Sequence, residues 1–283
     1  MDFSILFDRL RWEEKEILKS LLSRGKKAEL VDIKPLSFSL SDEEDFELGE
    51  NVLVRCLSHY RSYLSSKILE LKGKNVINKS DVISTCMNKL LTSLALARNK
   101  ITIPKTYASF SSEAAEEMWE RVCPPVVIKP LVGSWGRLIS LARDRNSFRS
   151  IIELREAMKD PLDHIYYIQE FVRRPPRDIR AIVAGEELIA CVYRYSPPGE
   201  WKTNVAQGGV SVPFNVSEEL NEIIIRSAQA VGGGILGIDV MESEGGYVVH
   251  EVNSNVEFRG AQSAVEFSIA EKIANYLISE AKK

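Results

Sequence analysis

Asp239, Glu251 and Asn253 are the residues whose types and spacing point most directly to chemistry. Glu251 and Asn253 lie two apart in Gly246-Tyr-Val-Val-His-Glu-Val-Asn253, where Tyr247, Val248, Val249 and Val252 give strand character. Alternation along a strand predicts Val249, Glu251 and Asn253 on one face and Val248, His250 and Val252 on the other. Upstream, Gly237-Ile-Asp-Val-Met-Glu242 reads as a second strand, and Gly245-Gly246 supplies the turn of a hairpin. The hairpin brings Asp239 beside Glu251 and Asn253. Three hard oxygen donors without Cys or His suit Mg²⁺, which keeps several waters and bridges to substrate phosphates. Acidic residues in a strand are more often its solvated face. Here they stand among apolar residues, where an unpaired charge is costly.

A second feature is Pro124-Pro-Val-Val-Ile-Lys-Pro-Leu-Val-Gly-Ser-Trp-Gly-Arg137. A buried strand, Val126 to Ile128, ends in Lys129, and a loop follows with Gly133, Ser134, Trp135 and Gly136. Glycines let backbone come close to a ligand, and a run of loop N–H groups favours an anion. The adjacent ammonium is a point charge suited to phosphate. A lysine at a strand end is commonly a surface residue, but directly before a Gly-rich turn it points to phosphate.

These groups need elements to hold them. From Met1 to Ile83 the pattern is β-α-β-α: a strand from Asp2 to Leu6, a helix from Trp12 to Ser23, and strands at Lys27–Ile33, Asn51–Arg55 and Asn75–Asn78. That alternation predicts a small parallel sheet, and the first strand lacks the Gly-x-Gly-x-x-Gly of a dinucleotide site. Ser80 is expected to cap one helix over Asp81–Asn99 that carries Lys89. Further on come an acidic helix from Ser111, a strand from Ile165 to Val172, paired strands at Asp178–Val183 and Leu188–Tyr195, a helix at Ser217–Val231 and a last amphipathic helix from Ala264. The whole reads as an α/β (α+β) chain in three parts, 1–83, 84–170 and 171–283.

Composition narrows the function classes. The chain has 283 residues, 45% hydrophobic and 27% charged, enough for a sizeable core, with no apolar run long enough for a membrane span. A net charge of -3 argues against a general nucleic-acid binder. Cys56, Cys86, Cys123 and Cys191 lie far apart, as expected of thiols in a reducing cytoplasm, and the short uncharged N-terminus is no signal peptide.

Five segments in order resemble the ATP-grasp superfamily of carboxylate–amine ligases, within it the RimK-like branch, and most closely the LysX/ArgX amino-group carrier ligases. They are Asn78 to Thr92, Ile128 to Leu138, Asp178-Ile-Arg180, Asn204-Val-Ala-Gln-Gly-Gly209 and Glu251-Val-Asn253. The resemblance implies an ATP-grasp fold behind a small parallel-sheet domain, with ATP and Mg²⁺ as cofactors. It implies Lys89 and Lys129 on the ATP phosphates under a lid formed by Gly133, Ser134, Trp135 and Gly136. Gln169, Glu170, Phe171 and Val172 would line the adenine slot, with Asp178 also at the nucleotide, and Asp239, Glu251 and Asn253 would hold the metal. Arg180 and Asn204 would face the transferring phosphoryl group with Lys202 nearby, while Arg194, Asn204, Asn255 and Gly260 would meet the amino-acid substrate.

The implied reaction activates a carboxylate as an acyl phosphate, which an amine attacks to form an amide or isopeptide bond. The implied acyl donor is the C-terminal Glu of the acidic carrier protein LysW, and the amine is α-aminoadipate or glutamate. Arg55, Arg61, Arg173, Arg174 and Arg177 are candidates to dock such a partner, and a homo-oligomer, dimer or tetramer, is expected. Asn88 departs from the family, many of whose members carry Asp before the lysine. A RimK-like glutamate ligase acting on a protein tail or peptide, or a non-catalytic ATP-binding module, shares the motif order.

Overall fold

The computed structural model describes residues 1–41, 47–197, 199, 201 and 210–281. The first strands and helices are β1 (Phe3–Phe7), α1 (Trp12–Ser23), β2 (Ala28–Asp32), β3 (Asn51–Val54), α2 (His59–Leu71) and β4 (Asn75–Ile77). They form a parallel sheet in the order β2-β1-β3-β4, as the β-α alternation predicts. Helix α2 starts at Ser58, whose hydroxyl accepts from the Arg61 N–H. The same turn is held from below: Asp8, just past β1, accepts from the N–H groups of Leu57 (2.8 Å) and Ser58 (3.1 Å).

The expected single helix carrying Lys89 is two, α3 (Ser80–Met87) and α4 (Lys89–Arg98). Asn88 has extended backbone and breaks the run, and its side chain accepts from the N–H groups of Leu90 and Leu91 as the cap of α4. Lys89 therefore opens a helix instead of sitting inside one. Ser80 does not cap α3; its N–H and hydroxyl both donate to Glu70.

A second sheet is antiparallel in the order β5-β8-β6-β7, from β5 (Thr106–Ser109), β6 (Val126–Lys129), β7 (Ser140–Ala142) and β8 (Tyr166–Glu170). Helices α5 (Ser112–Val122) and α6 (Arg145–Glu156) cover it, with Trp119 and Phe148 ring centroids 5.1 Å apart. The third sheet runs β11-β10-β9-β12-β13, all antiparallel, from β9 (Arg177–Ala184), β10 (Glu187–Tyr195), β11 (Val210–Pro213), β12 (Ile235–Ser243) and β13 (Gly246–Asn253). Helix α7 (Glu218–Ala230) packs Leu220, Ile224 and Ala228 onto the face bearing Ile179, Ala181 and Val183. The opposite face of β9 carries Ile182 and Ala184 into a core shared with α1 and with α8 (Ile269–Ser279), while Asp178 and Arg180 further along that face line a cavity. One sheet face is thus core at one end and site at the other.

The hairpin β12–β13 forms with Asp239 opposite Glu251 and Gly237 opposite Asn253. Its register shifts between Asp239 and Val240, which pair with Glu251 and Val249 and leave His250 as an extra residue. Strict alternation fails there: Val249 and Val252 both enter the α7 core, while His250, Glu251 and Asn253 all line the cavity. No helix among the described residues is long and apolar enough to cross a membrane.

Candidate active site

The three sheets enclose a cavity of about 1440 Å³. Every expected site residue that the structure describes lines it: Lys89, Lys129, Gly133 to Gly136, Gln169 to Val172, Asp178, Arg180, Arg194, Asp239, Glu251, Asn253, Asn255 and Gly260. Lys202 and Asn204 lie outside the described residues.

On the side of the second sheet, β6 ends by pushing Lys129 inward, where it is 7% exposed. Its ammonium donates to Gln169 Oε1 at 2.6 Å. Gln169 is fixed in turn, its amide donating to Thr106 Oγ1 and the Tyr167 hydroxyl, each at 2.9 Å. Burial pulls Lys129 down to about 8, with the Lys89 charge acting the same way and Glu251 opposing. Lys89, at the start of α4, donates to the Gly133 carbonyl at 2.9 Å and lies 3.7 Å from Glu251 Oε1. Two ammonium groups therefore face one carboxylate beneath the Gly133–Gly136 loop.

On the third sheet, four charges of balanced sign interlock. Arg194 meets both Asp178 oxygens at 2.8 Å and Asp239 Oδ2 at 3.1 Å; Arg180 binds Asp239 through Nε and through Nη2 at 2.9 Å. The register produces this, since Arg194 pairs with Asp178 and Arg180 with Asp239 across neighbouring strands. Burial alone would raise the Asp239 carboxyl, but the two guanidinium groups hold it below its usual range. Asp178 is engaged by Arg194, so what it does in this arrangement is aim that guanidinium.

The donor chemistry of Asp239, Glu251 and Asn253 fits Mg²⁺. All donors are oxygen, Asp239 is held ionised, and among the described residues Oδ1 of Asp239 accepts from Arg180 alone, which leaves it a lone pair. Among the described residues no group of three or more His, Cys, Asp or Glu could hold a metal. The third donor of this set is an amide.

Two corrections concern arginines. Arg55 is 2% exposed, bound to Glu14 at 3.0 Å and to the Val256 carbonyl at 3.0 Å, so it ties the first and third sheets together and cannot dock a partner. Arg177 is engaged with Glu242, with its guanidinium 3.9 Å over the Tyr193 ring. Sequence reasoning also missed cavity residues. Arg11 donates to Glu14 at 2.7 Å and to Asn255 Oδ1 at 3.0 Å, and Asn255 donates to the Cys56 carbonyl at 2.7 Å. His250 stands 3.9 Å from Asp178 Oδ2, and burial pushes it down to about 4, so it is neutral near pH 7. A lone His between Val249 and Glu251 carries no spacing signal, and only the bulge reveals its face.

Comparison with known proteins places this geometry. Residues 86–277 match the RimK-like ATP-grasp domain, and residues 3–85 match the LysX preATP-grasp domain. Over 278 residues the chain is 38% identical to "Glutamate--LysW ligase ArgX" of Sulfurisphaera tokodaii, covering 96% of each chain. It is 35% identical over 286 residues to "Alpha-aminoadipate--LysW ligase LysX" of the same organism, covering 100% of each. A solved RimK domain ATP-grasp protein from Sphaerobacter thermophilus superposes with a TM-score of 0.82 at 23% identity, over 98% of this chain and 99% of that one.

Proposed function

The chain belongs to the RimK-like ATP-grasp family and is an ATP-dependent ligase forming C–N bonds, and from that premise we propose that it joins the amino group of glutamate or α-aminoadipate to the C-terminal Glu of a LysW-type carrier protein, in arginine or lysine biosynthesis. The observation that carries the proposal is the match to both kinds of carrier ligase over nearly the whole chain, preATP-grasp domain included. An α-L-glutamate ligase, that of tetrahydromethanopterin, is 35% identical over only 73% of the chain, which favours the carrier reading over other acceptors.

In this reading Lys89 and Lys129 bind and orient the nucleotide phosphates, and the Gly133–Gly136 loop covers them. Gln169 orients Lys129, while Glu170 and Val172 offer backbone groups to the adenine and Phe171 packs beside it. Arg180 faces the transferring phosphoryl group, joined by Lys202 and Asn204; Arg194, aimed by Asp178, meets the amino-acid carboxylate with Asn255 and Gly260 at the substrate end. Asp239, Glu251 and Asn253 would hold Mg²⁺, which when bound supplies neutralisation of phosphate charge. The carrier carboxylate attacks the γ-phosphoryl of ATP, ADP leaves, and the amine displaces phosphate from the acyl carbon. Such transfer needs mainly positioning and charge neutralisation, which these side chains supply. We extend the proposal to a cytoplasmic homo-oligomer, which light scattering of the purified protein would read.

The test incubates the protein with ATP, Mg²⁺, carrier and each amino acid. The expected result is ADP release together with a carrier heavier by one amino-acid residue in mass spectrometry. No ADP release with either amino acid overturns it.

A further inference from the structure

A side-chain contact ties the Gly133–Gly136 loop to the first sheet's domain. His59 Nε2 and Ser134 Oγ lie 3.1 Å apart and share a hydrogen bond across 75 positions of sequence. His59 is the first residue of α2, on the turn that Asp8 fixes through two backbone bonds, so one end of the tie is rigid. The other end is not. Ser134 and Trp135 are exposed, and Trp135 and Leu138, neither of them glycine, have φ of 59° and 57°. Left-handed backbone disfavours such side chains, so the loop holds this shape only while outside contacts fix it. Among those contacts are His59 on Ser134, Arg155, whose guanidinium donates to Leu138 O at 3.1 Å, and, on the other side, Lys89, whose N–H donates to Leu131 O at 2.9 Å and whose ammonium donates to Gly133 O at 2.9 Å. Lys89 also faces the phosphates in the reading above and must share its ammonium with them. His59 has no such competing duty, and burial keeps its imidazole pKa below the ordinary value.

We propose that His59 is a positioning residue that latches the phosphate-covering loop shut across the cleft and so keeps water from the acyl phosphate. The proposal rests on the ligase reading for its chemical consequence, though not for the latch itself. An open loop admits water to the acyl carbon. Water adds there, phosphate leaves, the carrier carboxylate is regenerated, and one ATP has become ADP and phosphate with no amide formed.

Two readouts separate the latch from the chemistry. The first uses the protein alone: trypsin cleavage after the exposed Arg137, which follows the population of open loop. Loss of one hydrogen bond is expected to speed cleavage about threefold to tenfold in His59→Ala, and His59→Gln, which keeps an amide in reach, restores much of the protection. Ser134→Ala should give the same increase, and the double variant no more than either single one. Unchanged cleavage in His59→Ala, or additive effects in the double variant, overturns the latch. The second readout counts phosphate released per amide bond formed. Wild type is expected near one, with His59→Ala severalfold higher and His59→Gln near wild type; a ratio near one in His59→Ala overturns the water-excluding role. Wild-type protein that forms no amide at all refutes the ligase reading, and the cleavage series still decides the latch.

Discussion

Lys129 donates its buried ammonium to Gln169 Oε1 across 2.6 Å, joining the end of β6 to β8 inside the cavity. Glu251 and Asp239 oppose the burial that works against the charge of a lysine sunk this far. The contact also fixes where the charge points before any nucleotide arrives, and preorganisation of that kind is where electrostatic catalysis originates.

Lys129 gives the site a pH dependence. Its folded pKa of about 8 lies below the ordinary 10.5. Below about 8 it is charged in both the folded and unfolded states. Between about 8 and 10.5 the unfolded chain retains the proton and the folded protein does not, so this group makes stability rise with pH across that window. Affinity for ATP should move the opposite way, falling above pH 8 by up to about tenfold per unit as the ammonium is lost. Calorimetric titration with ATP between pH 7 and 9.5 checks this. A flat affinity, or the same decline in Lys129→Met, would refute it.

Asp239→Asn removes one negative charge from a buried set of two arginines and two aspartates. Arg180 and Arg194 are then left undercompensated in low dielectric, and a loss of about 3–5 kcal/mol is expected in urea unfolding. Turnover should fall with it. A variant as stable as wild type would mean that the arginines reach water in solution.

Gly234 follows α7 with φ of +101°, and a Cβ there would sit 2.2 Å from Asn78 Oδ1. That oxygen accepts from the Ile235 N–H at 2.7 Å, and the Asn78 amide donates to the carbonyls of Ile235 (2.8 Å) and Ser254 (2.7 Å). Gly234→Ala should therefore break the clamp between the first and third sheets and cost about 1–3 kcal/mol. An unchanged unfolding midpoint would show that the clamp can shift without cost.

The thiols should divide by burial. Burial pushes Cys56 and Cys191 up to about 12 and also raises Cys86, whereas Cys123 is exposed. A disulfide-exchange reagent is expected to modify one thiol per folded chain quickly and the rest only on unfolding. A thiol that still reacts quickly in a variant lacking Cys123 would contradict the assignment.

Local pattern carried much of this protein. The parallel first sheet, the helix at Trp12–Ser23, the β12–β13 hairpin and the Lys129 strand end followed from periodicity, turn residues and apolar runs, because those signals act over neighbouring residues. Asn88 shows how narrow the margin is: a capping residue read as helix interior split one helix into two and set Lys89 at the start of the second.

What tertiary structure decided depends on partners distant in sequence. Arg55 reads as a surface cation until Glu14 and the Val256 carbonyl enclose it, and His250 reads as lying on the strand face opposite Glu251 until a one-residue bulge turns it to the cavity. Arg194 and Asp178 meet because β10 and β9 pair in one register, and His59 meets Ser134 because two separate sheets close on one cleft. The sequence alone thus settled which groups this protein possesses and the elements that carry them. Their pairing, burial and charge state were decided by the packed fold, since the energy of a buried charge depends on neighbours that no local pattern specifies.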